Sequence, residues 1–248
     1  MPIRNLKIPS AARSKLGVPD ILDITDQLPV NPKYTWDKLI GGPRDPSKIG
    51  CIVLHHDALS KSSSAGISDM TFASNIASSH IRSTKNEAGG DPGFPYHFWI
   101  RNGQVYQTND LLSLTYGVKN NNGYTVHICV SGDYFGKDVL TEPDRRALLG
   151  SIEATKAVLN IRDIRGHGEI QPTNCPGYSP DAIRAAVADL ESELEFQESD
   201  LGATANAVAL KTRVDDLYSK LNSTNRQAAI LKLDKLYKYA IDSGIIMK

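Results

Sequence analysis

Apolar and polar residues along the chain follow the spacing of strands in some segments and of helices in others. CIVLHH at 51–56 is short, apolar and β-branched, as in a buried strand, and YTVHICVSGDY at 124–134 has the same character. Between them, YHFWIRNGQVYQT at 96–108 predicts two strands joined at an Asn-Gly dipeptide, which is typical of tight hairpin turns. A further short strand is expected within IRDIRGHG at 161–168.

Three segments carry apolar residues at helical spacing: 68–83, 141–160 and 179–196. Each begins with residues typical of a helix N-terminus, either a Ser or Thr cap or a Pro in the first turn. Strands mixed with helices, with a hairpin among them, predict an α/β fold in which helices flank a central mixed β-sheet.

The main domain of the chain is expected to span 1–197. Its core runs from about 50 to 195, which is enough chain for one domain with its own apolar interior. Residues 1–48 are rich in Pro, Asp and Lys, and they predict an irregular arm packed on that core.

The C-terminal part has a different character. QESDLGATAN at 197–206 is polar and small, which predicts a hinge, and helical apolar stripes follow at 208–221 and 224–242. We therefore expect a separate helical module over 205–248. Residues 201–248 hold eight Lys and Arg against four Asp and Glu, so this module carries a net charge of +4.

Composition excludes several classes of function. The formal net charge of zero does not favour a nucleic-acid partner, and no apolar stretch approaches the roughly 20 residues of a membrane helix. Three widely spaced cysteines predict reduced thiols and not a disulfide framework. The N-terminal residues lack the apolar run of a signal peptide, so we expect synthesis in the cytoplasm, with release by other means if the protein acts outside the cell.

The strongest chemical signal is RGHGEIQPTNCPG at 165–177, where His167 and Cys175 lie eight positions apart on a loop. Imidazole and thiolate are preferred zinc ligands, and a catalytic zinc site keeps three protein ligands and one open position. His55 and His56, at the end of the first predicted strand, are the candidates for the third ligand. Alternate side chains of a strand face opposite ways, so one histidine is expected to face the cleft.

Three segments in this order, IVLHH, GFPYHFWIRNGQVYQT and GHGEIQPTNCPG, together resemble the type 2 zinc-dependent N-acetylmuramoyl-L-alanine amidases. That family includes amidase-type phage lysozymes and peptidoglycan recognition proteins, and the resemblance covers about residues 50–190. It implies the peptidoglycan recognition protein-like fold and one Zn²⁺ held by three residues, His55, His167 and Cys175. It also implies catalytic roles for Tyr96 and for Thr173, which stands where the Lys-bearing phage enzymes have lysine.

The resemblance implies hydrolysis of the amide bond between N-acetylmuramic acid and L-alanine in peptidoglycan, by a water whose pKa zinc lowers toward about 7. The leading hypothesis is a phage or prophage endolysin that acts on a Gram-positive cell wall after release. The helical module would then bind a wall polymer, the alternatives being an oligomerisation hairpin or a cap on the catalytic domain. The other functions considered are a non-catalytic recognition protein, a structural zinc domain and a cytoplasmic amidase that recycles wall fragments.

Several neighbouring residues have two interpretations. His56 is a ligand in place of His55, or a residue behind the ligands or in the core. His80 touches substrate in the cleft, or is an ordinary packed histidine. Glu169 orients a ligand, or is a solvated loop carboxylate. His127 is expected to be structural, and Cys129 to be a buried apolar residue.

Overall fold

The computed structural model describes residues 1–33, 35–37 and 42–219, together with residues 235 and 238. A single sheet of six strands forms its centre. The strands are β1 (Leu22–Asp23), β2 (Cys51–His56), β3 (Phe98–Arg101), β4 (Gln104–Gln107), β5 (Thr125–Val130) and β6 (Asp163–Gly166). Among the described residues up to 219, the α-helices are α1 (Ser10–Leu16), α2 (Asp69–Arg82), α3 (Glu142–Lys156) and α4 (Pro180–Ser219).

The strands lie in the order β1-β4-β3-β5-β2-β6. All neighbouring strands are parallel except β3 and β4, which form an antiparallel hairpin. Asn102 and Gly103 at its turn both have positive φ, 52° and 76°, as the tightest hairpin turns require. The predicted hairpin and the mixed sheet with flanking helices are therefore confirmed.

The central strands β2 and β5 place two histidines on one face of the sheet. Val53 pairs with His127, and His55 pairs with Cys129. Residues in register on neighbouring strands point the same way, as do residues two apart on one strand, so His55 and His127 share a face of the sheet. Helix α2 contributes to the apolar cluster beside them, which also includes Trp99 and Cys129.

The helices begin where their caps predict. The Ser68 side chain accepts a hydrogen bond from the Thr71 backbone N–H at the start of α2, and Thr141 accepts from Asp144 at the start of α3. Helix α3 ends at Lys156 and not at residue 160 as predicted. The chain turns there because the N–H groups of residues 162 and 163 must reach the Gly50 carbonyl as β6 begins.

The N-terminal arm is more regular than predicted. It forms the short helix α1, which ends at Gly17 in the left-handed region (φ 61°), and strand β1, which pairs with β4 at the sheet edge. The arm also packs on the core, as expected, through the apolar residues Leu6, Ile8, Ala12, Leu16, Ile21, Ile24 and Leu28, all of which are buried.

Arg44, near the end of this arm, is buried with its side chain inside the domain. Its guanidinium donates to the backbone carbonyls of Asn122 (2.7 Å), Thr125 (2.6 Å) and Leu111 (2.5 Å). Burial lowers its pKa to about 10, so the group stays charged at neutral pH. One arm residue thus joins the loop before β5 to the segment after β4.

The C-terminal region differs from the prediction. Helix α4 runs without a break from Pro180 to Ser219, so the hinge expected at 197–206 is helical. That segment contains no proline and two alanines, and its single glycine costs a helix only about 1 kcal/mol. The first helix predicted in the module, at 208–221, is helical as far as the structure describes it, whereas the second, at 224–242, lies outside the described residues.

The chain divides into two compact units, Met1–Leu190 and Glu191–Lys248. The first contains the entire sheet and the side chains Ile183, Val187 and Leu190, which α4 buries in it. In the part of the chain that the structure describes, no helix combines the length and the apolar character needed to cross a membrane.

Candidate metal centre

His55, His167 and Cys175 come together at one end of the sheet. His55 lies near the C-terminal end of β2 and is 1% exposed, and His167 directly follows the neighbouring parallel strand β6. Cys175 lies on the loop between His167 and α4. One nitrogen from each imidazole and the cysteine sulfur all lie within 4.8 Å of one another. This convergence follows from strand order, since parallel neighbouring strands end at the same edge.

The donor set fits a zinc ion. Cys175 Sγ lies 3.7 Å from His55 Nδ1. A tetrahedral zinc with bonds of about 2.3 Å to sulfur and about 2.0–2.1 Å to nitrogen separates such atoms by about 3.6 Å. Among the described residues, no fourth His, Cys, Asp or Glu joins the group, so one coordination position would remain open, as in catalytic zinc sites.

The protonation states of the three groups follow from their burial. Burial, with the nearby His127 and His167 rings, holds the pKa of His55 well below its ordinary value. Burial, with His56 and Lys119, lowers the pKa of His167 to about 4, so both imidazoles are neutral at pH 7 and each can donate a lone pair. Burial raises the pKa of Cys175 to about 11, so without a metal this residue is a thiol.

Backbone hydrogen bonds hold the loop that carries Cys175. The His56 N–H donates to Cys175 Sγ (3.4 Å), and the Gly168 N–H donates to the Cys175 carbonyl (2.7 Å). Thr173 Oγ1 accepts from the Cys175 N–H (3.3 Å). A Cβ at residue 168 would lie 2.7 Å from the Thr173 carbonyl oxygen, so only glycine allows this close approach.

Tyr96 lies against the same cluster. Its ring centroid is 5.0 Å from that of His55, and two side chains fix its backbone carbonyl, Thr108 Oγ1 at 2.9 Å and Asn109 Nδ2 at 2.5 Å. Burial, together with the Cys129 and Cys175 thiols, raises the pKa of Tyr96 well above its ordinary value. Its hydroxyl is therefore protonated at neutral pH and can act as a hydrogen-bond donor.

His56 is not part of the three-residue group. It is 9% exposed, its ring stacks on Tyr134, and its Nδ1 accepts from the Tyr134 backbone N–H (3.3 Å). The two adjacent histidines of β2 therefore have different partners, as strand alternation predicts. His80, in the last turn of α2, also lies outside the group, and its Nδ1 pairs with the buried Asp91 (2.9 Å).

Glu169 connects the metal loop to α4. Its carboxylate accepts from the Gly166 N–H (2.6 Å) and forms a two-point ion pair with Arg184, both contacts at 2.9 Å. These bonds, with Arg184 contributing most, lower the pKa of Glu169. Its partners are therefore those of a residue that braces the loop next to His167.

The sequence did not predict three contacts of the candidate ligands. His127 Nδ1 lies 3.0 Å from His55 Nε2, Tyr178 donates its hydroxyl to the His55 carbonyl (3.2 Å), and the Gln171 side-chain amide contacts His167 Nε2. The position of His127 within the apolar run of β5 indicates that it needs a polar partner, but not that this partner is His55. Nothing in the sequence indicates the other two.

Comparison with known families is consistent with this geometry. The profile described as Amidase_2, N-acetylmuramoyl-L-alanine amidase, matches residues 45–178, which is more than half of the chain and includes all three members of the cluster. A comparison with curated protein sequences found no match.

Solved structures share the fold at low sequence identity. The endolysin N-acetylmuramoyl-L-alanine amidase LysCS from Clostridium intestinale is 22% identical with a TM-score of 0.50, and the alignment covers 69% of this chain and 97% of that one. The endolysin of Thermus scotoductus bacteriophage Ph2119 is 23% identical with a TM-score of 0.48, covering 67% and 98%. Drosophila PGRP-LB is 18% identical with a TM-score of 0.47, covering 63% and 87%.

Proposed function

Because the chain belongs to the N-acetylmuramoyl-L-alanine amidase family, we propose that it hydrolyses the amide bond between the lactyl group of N-acetylmuramic acid and L-alanine in peptidoglycan. The observation that carries this proposal is the group of His55, His167 and Cys175, whose donor atoms lie within 4.8 Å of one another. We propose these three residues as the ligands of one zinc ion. When bound, zinc would lower the pKa of a coordinated water toward about 7 and polarise the substrate carbonyl.

The protein's own groups supply orientation and hydrogen bonds. We propose that Tyr96, which is neutral and packs against His55, donates its hydroxyl to the carbonyl oxygen as negative charge develops there. Thr173 accepts the Cys175 N–H through its oxygen, which leaves its hydroxyl proton available to a substrate oxygen. The two residues would therefore stabilise the same developing charge from different segments.

Polar loops at 58–67, 84–95 and 117–124 are proposed to line the groove for the glycan and the stem peptide. Buried carboxylates anchor the first two. Lys61 in the first forms a short ion pair with the buried Asp144 of α3, and Asp91 in the second accepts from His80 and Asn86. Firm anchoring suits a groove that must hold one bond of a polymer at a fixed position.

We further propose that the protein is an endolysin of a phage or prophage and acts on a Gram-positive wall after release from the cytoplasm. The helical region that follows the catalytic unit would bind a wall polymer, and its net positive charge suits an anionic one. The similarity of the fold to that of LysCS, which is described as an endolysin amidase, supports this proposal.

The test uses purified Gram-positive cell walls and measures new L-alanine amino termini and new reducing sugar ends. We expect amino termini without reducing ends from the zinc-loaded protein, and loss of the activity in Cys175→Ser and after chelation. Cys51→Ser is the matched control, because Cys51 is a buried thiol on the same strand as His55 but outside the cluster. Wall binding without cleavage would indicate a recognition protein instead.

A further inference from the structure

The imidazole of His127 lies directly behind the candidate ligand His55. His55 directs Nδ1 toward Cys175 and Nε2 toward His127 Nδ1, at 3.7 Å and 3.0 Å. His127 is fully buried, and its other nitrogen, Nε2, lies 3.1 Å from Thr125 Oγ1. The Thr125 hydroxyl in turn donates to the Asn121 carbonyl (3.0 Å). The four groups form one buried chain from the metal centre to a backbone oxygen.

This chain of groups has one consistent arrangement of protons. Thr125 uses its hydroxyl proton on Asn121, so its oxygen accepts from His127, and His127 carries its proton on Nε2. His127 Nδ1 is then an acceptor, and His55 must place its proton on Nε2 to supply it. The lone pair of His55 is thereby left on Nδ1, the atom that faces Cys175.

The position of the His127 ring is fixed on two further sides. The ring stacks on His97, with centroids 5.5 Å apart and planes 18° apart, and the His127 backbone N–H donates to His97 Nδ1 (2.9 Å). On another side lies Gly117, where a Cβ would fall 2.4 Å from His127 Nδ1. Gly117 does not have positive φ, so the need for glycine there comes from the space that the ring occupies.

We infer that His127 is a positioning residue, which holds His55 in the tautomer and orientation that direct its Nδ1 at a zinc ion. Metal-bound histidines commonly donate their second N–H to a carboxylate or a carbonyl oxygen. Here a second imidazole takes that place, itself oriented by Thr125. The inference rests on the proposed zinc site, since it assigns the support of one of its ligands.

The experiment measures zinc affinity by competition with a chromophoric chelator, for the wild type and two full-length variants. His127→Leu keeps an apolar side chain of comparable size and removes the acceptor, and it should weaken zinc binding about 10- to 100-fold. His127→Asn returns an oxygen acceptor near the position of Nδ1 and should restore most of the affinity. Gly117→Ala changes no hydrogen-bonding side chain, and it should weaken binding by displacing the His127 ring.

Wild-type affinity in His127→Leu, or equal weakness in His127→Leu and His127→Asn, would overturn the inference. A wild type that binds no zinc would instead reject the proposed metal centre. Nitrogen NMR of the zinc-loaded wild type gives a test that needs no variant to fold. We expect protons on Nε2 of both His55 and His127, and a proton on His127 Nδ1 would contradict the role of that nitrogen as acceptor.

Discussion

Cys175 Sγ lies 3.7 Å from His55 Nδ1, although the two residues are 120 positions apart in the sequence. The imidazole is buried and neutral, and the thiol is buried with its pKa raised to about 11. His167, with its pKa lowered to about 4, is neutral as well. The metal-free centre at pH 7 is thus two neutral rings and one protonated sulfur.

Zinc binding should therefore release between about one and two protons per ion at pH 7, because the thiol must ionise and a coordinated water with a pKa near 7 is partly ionised, whereas the two histidines have none to lose. Calorimetric titrations in buffers of different ionisation enthalpy measure this number. Cys175→Ser should bind zinc much more weakly. Release of no proton by the wild type would mean that the sulfur is already a thiolate.

The metal-free protein should lose stability on acidification from pH 7 to pH 5. Burial lowers the pKa of His55, His97, His127 and His167 in the folded state, while the unfolded chain takes up protons near the ordinary value of about 6.5. The unfolded state then binds more protons, so the free energy of unfolding falls as pH falls. A loss of about 2 kcal/mol or more is expected.

Urea denaturation of the metal-free protein at the two pH values measures this loss. His127→Asn removes one of the buried rings and should show a shallower dependence on pH. A free energy of unfolding that does not change between pH 7 and pH 5 would show that the folded state accommodates the protonated rings.

Tyr96→Phe should lower kcat about 100- to 1000-fold, because it removes a hydrogen-bond donor to the developing charge and leaves the ring packing intact. Zinc affinity should not change, since the phenol is not among the candidate ligands. Steady-state hydrolysis of a soluble muramoyl peptide, alongside chelator competition, separates the two effects. A parallel loss of zinc would show that the ring supports the metal centre and does not act on substrate.

Glu169→Gln should reduce stability and leave catalysis of the zinc-loaded protein nearly unchanged. Glu169 and Arg184 are 40% and 33% exposed at their side chains, and solvent screening limits such pairs to about 0.2–1 kcal/mol. Thermal unfolding of Glu169→Gln and of Arg184→Gln should give similar small losses. A large fall in kcat with unchanged stability would instead assign Glu169 to the chemistry.

A chain that ends at residue 197 should lose affinity for cell walls and keep its activity on a soluble muramoyl peptide. The compact unit Met1–Leu190 contains the sheet and the whole candidate site, so catalysis should survive the truncation. Co-sedimentation with purified walls measures binding. Undiminished binding would contradict wall targeting by the helical region and favour one of its other proposed roles.

The sequence predicts the elements best where pattern and local chemistry agree. The apolar run of β2, the Asn-Gly turn and the Ser68 and Thr141 caps all act within a few residues, and the structure has each of them where expected. Residues 197–206 are helical although a linker was expected there, because small polar residues are compatible with both. The prediction of an irregular arm missed the short strand β1, because β1 depends on pairing with β4, more than 80 residues away.

The candidate site could be predicted as a set of residues but not as a network. His55, His167 and Cys175 stand out because their residue types suit zinc and their segments resemble a family. The sequence left two roles open for Glu169, orienting a ligand or lying in solvent as a loop carboxylate. Only its contact with Arg184 distinguishes them. The place of His127 behind His55 depends on the register of β2 against β5, which no local pattern specifies.

The buried guanidinium of Arg44 limits how far the N-terminus can be trimmed before folding is impaired. The matched family region begins at residue 45, one position after Arg44. A protein trimmed to that boundary would leave three interior carbonyls without their donor and expose the apolar surface that the arm covers. The smallest autonomously folding unit therefore extends on the N-terminal side beyond the region that the family model matches, and it includes the arm as well as the sheet.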